Sequence, residues 1–134
     1  MKKTVGPIAV ALLLLTGCAG EFDNPEEYRA AKNHTCADTL TLLETTCGTV
    51  GCHSSMGGAA GVDLQSSDIV GRLAEQASSC GELVIIDSAN PRASLLLNKL
   101  GATPTCGQTM PLGGTALTAV EIACIEDFLE DELR

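Results

Sequence analysis

Cys47, Cys52 and His53 place two thiols and an imidazole within one short stretch of chain. Two thiols can add to the two vinyl groups of a porphyrin, and a histidine directly after the second one then reaches the iron from the same side. The usual spacing for that chemistry is C-x-x-C-H. Here four residues separate the cysteines, so two extra residues must bulge; Gly48 and Gly51 are expected to allow it by taking positive φ. The same residues admit a second chemistry, a Cys47–Cys52 disulfide with His53 exposed beside it. A haem iron with His53 on one side takes a sixth ligand or keeps an open position, and a thioether sulfur there raises the reduction potential. Met110, followed by Pro111, lies far enough along the chain to serve, whereas Met56 is only three residues beyond His53 and belongs on its side. The other imidazole, His34, precedes the first helix and reads as a surface residue rather than a second ligand.

Those groups need elements to hold them, and the pattern predicts four helices joined by glycine-rich loops. The first runs from about Cys36 to Thr46, with Leu40, Leu43 and Ala37 on one face, and stops at the Cys47–His53 segment. Ser54 to Gly61 is expected to lack regular structure. Ser67 is the expected cap of a second helix, Asp68 to Ala77, and Leu83-Val84-Ile85-Ile86 is a short extended run. Asn90-Pro91 opens a third helix that Gly101 closes. Thr103 to Gly114 is a long loop carrying Cys106 and Met110. Thr118 to Glu121 forms a capping box for a final helix in which Ile122, Ile125, Leu129 and Leu133 recur at helical spacing, with Phe128 beside them. The expected fold is mostly α, with little or no sheet. Only Phe22, Tyr28 and Phe128 are aromatic, so the core rests on Leu, Ile and Val, or gains apolar bulk from a buried porphyrin.

At the N-terminus, Lys2 and Lys3 precede the apolar run Ile8 to Leu15, too short to cross a bilayer. Leu15-Thr16-Gly17-Cys18 then resembles a bacterial lipobox, in which the cysteine becomes the lipidated first residue. This divides the chain into a signal peptide at 1–17, a lipidated tether at 18–33 with a helix start at Asn24-Pro25, and one domain at 34–134. Loss of Lys2 and Lys3 takes the formal charge from −9 to −11. Such acidity argues against nucleic acid as a partner and suits docking to basic patches on other proteins. Ala19 after Cys18 favours the outer membrane or periplasmic face over inner-membrane retention. Export also places the other six cysteines where disulfides form. Cys36, Cys80, Cys106 and Cys124 admit three pairings, or a structural metal site, although they contain no C-x-x-C pair.

A helix ending in a cysteine pair plus histidine, then loops, a short helix, Met-Pro and an amphipathic terminal helix resembles a class I c-type cytochrome. The run from Cys47 through Gly61-Val62-Asp63-Leu64, Asn90 to Leu96, Lys99-Leu100 and Met110-Pro111-Leu112 to Ile122-Ala123-Cys124-Ile125 is similar to cytochrome c-like lipoproteins of the myxobacterial type. The resemblance implies one covalent haem c on Cys47 and Cys52, with His53 and Met110 as axial ligands. It puts Leu43 and Phe128 where that family often has aromatics, and Thr39 where many members have glycine. It also implies that the first and last helices cross, which favours Cys36–Cys124 and leaves Cys80–Cys106. The function so implied is a membrane-anchored electron-transfer protein, not an enzyme, that exchanges electrons with redox partner proteins. The alternatives are a haem-free, disulfide-stapled structural or interaction lipoprotein with three disulfides, and a haem enzyme with an open sixth position.

Overall fold

The computed structural model describes Cys36 and residues 38–134. The signal peptide, Cys18, the tether with its expected helix start, His34 and Ala37 lie outside the described residues.

Helix α1, Thr39–Leu42, starts later than the sequence suggests, because Asp38 rather than Cys36 provides the boundary. The Asp38 carboxylate accepts from the Thr41 backbone N–H at 3.0 Å and from its hydroxyl at 2.6 Å. Those bonds, the hydroxyl's first, hold the Asp38 carboxyl below its ordinary range. The helix then widens into a π-turn, Leu43–Cys47, ending where Gly48 donates to the Leu43 carbonyl at 2.8 Å. The inner face runs through Thr39 and Leu43, one helical turn apart and both buried. Leu43 is fully buried and Leu42 half-buried against the core, while Leu40, expected on the inner face, is exposed.

Ser54 to Gly61 is a series of turns, as its composition suggests; even the single 3₁₀ turn at Ala59–Gly61 has Ala60 at φ +56°. Helix α2, Ile69–Leu73, is capped by Asp68 in place of Ser67, its carboxylate accepting from Gly71 N–H at 3.1 Å. It ends at Leu73 instead of Ala77 because the chain turns extended at Ala74 to pair with the 83–86 run. There Glu75 N–H donates to Ile86 O and Ile85 N–H to Gln76 O. Ala74 and Ile86 form a parallel bridge, and Ala77 and Val84 an antiparallel one. Among the described residues no longer β-ladder forms, so the architecture is helices and loops.

The expected third helix is two pieces. Pro91–Ala93 is a 3₁₀ turn, Ser94 turns extended, and helix α3 occupies Leu95–Leu100. The break lets Leu95 and Leu96 N–H groups donate to Val84 and Ile85, docking α3 on the extended run. Gly101 closes α3 as expected, turning extended at φ −72° while its N–H donates to Asn98 O at 3.2 Å. Helix α4, Ala119–Glu132, carries the full capping box: Glu121 N–H donates to the Thr118 hydroxyl, and the Glu121 carboxylate accepts from Thr118 N–H.

Helix α4 packs against α1, α3 and the Pro91–Ala93 turn. It sends Ile125 and Leu129, both 0% exposed, into a core shared with Leu43, Leu73, Ile86 and Leu95, and Phe128 flanks it. Arg92 lies across α4 and pairs with Glu126 and Glu130 at 2.8 and 2.7 Å. Disulfides join Cys36 to Cys124 and Cys80 to Cys106. The first ties the chain entering α1 to the middle of α4; the second ties the turn after the Ala74–Ala77 segment to the loop before Met110. No helix among the described residues is long and apolar enough to cross a membrane.

Candidate functional site

The π-turn delivers Cys47 to the edge of the core, where its side chain is half-buried. Gly48 and Gly51 then turn the chain, each for its own reason. Gly51 has φ +86°, the left-handed conformation expected of it. Gly48 has φ −77°, so positive φ is not its role. A Cβ at Gly48 would stand 2.8 Å from Glu44 O and 2.9 Å from Gln65 Cα, so glycine is required there by close approach of backbones. Cys52 N–H donates to Thr49 O and His53 N–H to Cys47 O, both at 3.0 Å, closing the segment on itself.

A second strand of loop fixes this segment from outside. Ala59 N–H donates to Cys52 O, and Leu64 N–H to His53 O at 2.8 Å. Asp63 stiffens that loop by accepting from the Gln65 and Ser66 N–H groups at 2.9 and 3.0 Å. Arg72 binds the Asp63 and Ser66 carbonyls and pairs with the Asp63 carboxylate at 3.4 Å.

The loop's main consequence falls on His53. Its Nδ1 lies 3.2 Å from the Val62 carbonyl oxygen. A carbonyl only accepts, so this bond requires the proton on Nδ1, and in the neutral ring the lone pair is then on Nε2. That is how proteins orient a histidine that ligates a metal through its other nitrogen. Nothing about Val62 as a residue type announces this, because the group that acts is its backbone.

His53 opens on a cavity of about 420 Å³, within the rough range of 300–1,000 Å³ usual for cofactor and small-molecule sites. Cys47, Cys52, His53 and Met110 all line it. Leu43, Val62, Leu64, Ile85, Leu95 and Ile125 give it apolar walls drawn from α1's π-turn, the 62–64 loop, the extended run, α3 and α4. Among the described residues, Lys99 is the one lysine or arginine on the wall. Met110 is half-buried on the loop after α3, where its N–H donates to Lys99 O at 2.8 Å. Cys80 and Cys106 also reach the cavity, so the second disulfide is part of its wall.

Of the six cysteines described, the four outside the Cys47–His53 segment are paired, while Cys47 and Cys52 keep free thiols. Burial pushes the Cys47 thiol up from its ordinary value, and the neighbouring Cys52 adds to the shift. Cys52 is exposed at the cavity mouth. With the other four in disulfides, a structural metal site on them is not formed, and no cluster of three or more metal-ligating side chains occurs among the described residues.

These groups fit a haem on their own chemistry: two free thiols, an imidazole with Nε2 available and a thioether around one apolar cavity. Comparison with protein-family models, curated proteins and solved structures finds no match to this chain.

Proposed function

We propose that this protein is a monohaem c-type electron-transfer protein, held to the cell envelope through lipid on Cys18. The observation that carries the reading is the convergence of Cys47, Cys52, His53 and Met110 on one apolar cavity. Cys47 and Cys52 would hold the ring edge as thioethers. His53 Nε2 and the Met110 sulfur would be the protein's ligands to the iron, both lining the same cavity. A bound haem supplies a one-electron couple between ferric and ferrous iron. Val62 O keeps the His53 ring in one tautomer, so the ligand set need not rearrange between states. The apolar walls exclude water and, with a thioether ligand, favour the reduced form. Cys52, exposed at the mouth, marks the side from which a partner would approach, and the net charge of −11 left after loss of Lys2 and Lys3 from the −9 of the full chain suits partners with basic docking patches.

The test is to express the lipid-free domain with a cytochrome-maturation system. The expected product carries the added mass of one haem and shows sharp visible bands on reduction. Met110→Ala should lower the midpoint potential by on the order of 0.1 V, since axial ligation spans about 0.8 V in such proteins. Absence of both the mass and the bands overturns the reading. Non-reducing peptide mapping would then report on the haem-free alternative, which requires a third disulfide between Cys47 and Cys52.

A further inference from the structure

Helix α3 ends beside the loop that carries Met110, and Lys99 grips that loop at two levels. Its backbone carbonyl accepts from Met110 N–H at 2.8 Å. Its ammonium donates to the Cys106 carbonyl and, at 3.4 Å, to the Gln108 carbonyl. Gly107, between those two, has φ +67°, and a Cβ there would lie 2.6 Å from Lys99 Nζ. The loop therefore wraps the ammonium as closely as a bare backbone permits. Asn98 adds a clasp just upstream, its amide oxygen accepting from Thr105 N–H at 2.9 Å and its NH₂ donating to the Thr105 hydroxyl at 3.0 Å.

An ammonium has three protons and no acceptor, and on an apolar wall each proton needs a partner. The loop carbonyls supply two. Conversely, those carbonyls lose their donor if the ammonium goes. The disulfide at Cys106 secures one end of this span, and the Met110–Lys99 main-chain bond secures the other. Between them the ammonium binds the Cys106 and Gln108 carbonyls, and the Thr109 hydroxyl donates to the Gly101 and Ala102 carbonyls at 3.1 and 3.3 Å, so Lys99 is the one charged group among the loop's restraints in the described residues.

We propose that Lys99 is the positioning residue for Met110, setting how firmly its sulfur is held at the cavity. The proposal rests on the haem reading above, so its test reads ligand firmness separately from haem attachment. The protein is the haem-loaded domain, and the probe is imidazole, which binds ferric iron only after the methionine leaves. Lys99→Met removes the charge and donors while keeping an apolar chain of similar length. It should raise the rate of imidazole uptake about tenfold or more, the scale expected on losing hydrogen bonds from a charged donor. Hydrogen exchange at the Met110 amide should quicken in parallel, and Lys99→Arg, which keeps charge and donors, should restore most of both. Should Lys99→Met fail to fold, Lys99→Gln, neutral and with one short donor arm, is read the same way and should take up imidazole faster than the wild type and than Lys99→Arg. A merely structural lysine would lower the melting temperature and leave imidazole uptake unchanged, which overturns the proposal. A wild type that attaches no haem overturns the haem reading, and this inference with it. One that attaches haem but takes up imidazole without delay overturns the positioning role alone.

Discussion

Gly48 and Gly51 sit three residues apart in the same segment and are constrained in opposite ways. Gly51 has open space where a Cβ would go but a backbone at φ +86°. Gly48 has an ordinary backbone but no room. Gly51→Ala should therefore cost only the left-handed penalty, about 1–2 kcal/mol. At Gly48 the obstacle is backbone of Glu44 and Gln65, which cannot swing aside as a side-chain tip can. Gly48→Ala should cost about 1–3 kcal/mol, and its damage should pass to the π-turn carrying Leu43 and Cys47. Urea denaturation of both variants measures the costs; hydrogen exchange at the Gly48 position, which donates to Leu43 O, shows whether the turn itself opens.

Between elements, the loop holding the Val62 carbonyl is kept rigid by one carboxylate. Hydrogen bonds from Ser66, its side chain first and then its backbone, hold the Asp63 carboxyl below its ordinary range, with smaller help from Gln65 N–H and Arg72. A lowered carboxyl contributes stability above its ordinary pKa and loses it as pH falls through the lowered value. Acidification should thus speed hydrogen exchange at the Gln65 and Ser66 amides before the whole domain unfolds. Asp63→Ala should do the same at neutral pH. If His53 depends on this loop for its tautomer, the neutral variant should also broaden the His53 ring resonances in the NMR spectrum; unchanged resonances would mean that Val62 is held by its neighbours alone.

Across the whole molecule, the two disulfides do different work. Cys36–Cys124 spans 88 residues and ties the beginning of the described chain to α4, whereas Cys80–Cys106 spans 26 and lies in the cavity wall. Removing the longer one by serine substitution at both positions should cost about 2–5 kcal/mol. Removing the shorter should cost about 1 kcal/mol less on loop-closure entropy, with the larger effect on Met110, four residues beyond Cys106. Denaturant midpoints of the two double variants give the order. An equal or inverted order would show that the shorter bridge stabilises more than loop closure alone provides.

Local chemistry was legible from the residues. The spacing of Cys47, Cys52 and His53, the capping box at Thr118 and Glu121, and the glycine needed at position 51 each depend on groups close together in the chain. Spacing left three pairings open for the other cysteines; the likeness to crossing helices selected the one the structure holds. Where the chain departs from expectation, a distant group decides. Helix α2 ends early because Ile86 claims the backbone after Leu73, and the third helix splits because Val84 and Ile85 accept its first amides. Gly48 is pressed by Gln65, His53 is oriented by a carbonyl nine residues on, and Met110 is gripped by a lysine eleven residues back. Sequence alone determines which side chains can ligate, bond or cap, since those properties travel with the residue. Tertiary structure decides which of them share a cavity and which backbone carbonyls restrain them, because a carbonyl is the same at every position until folding brings it a partner.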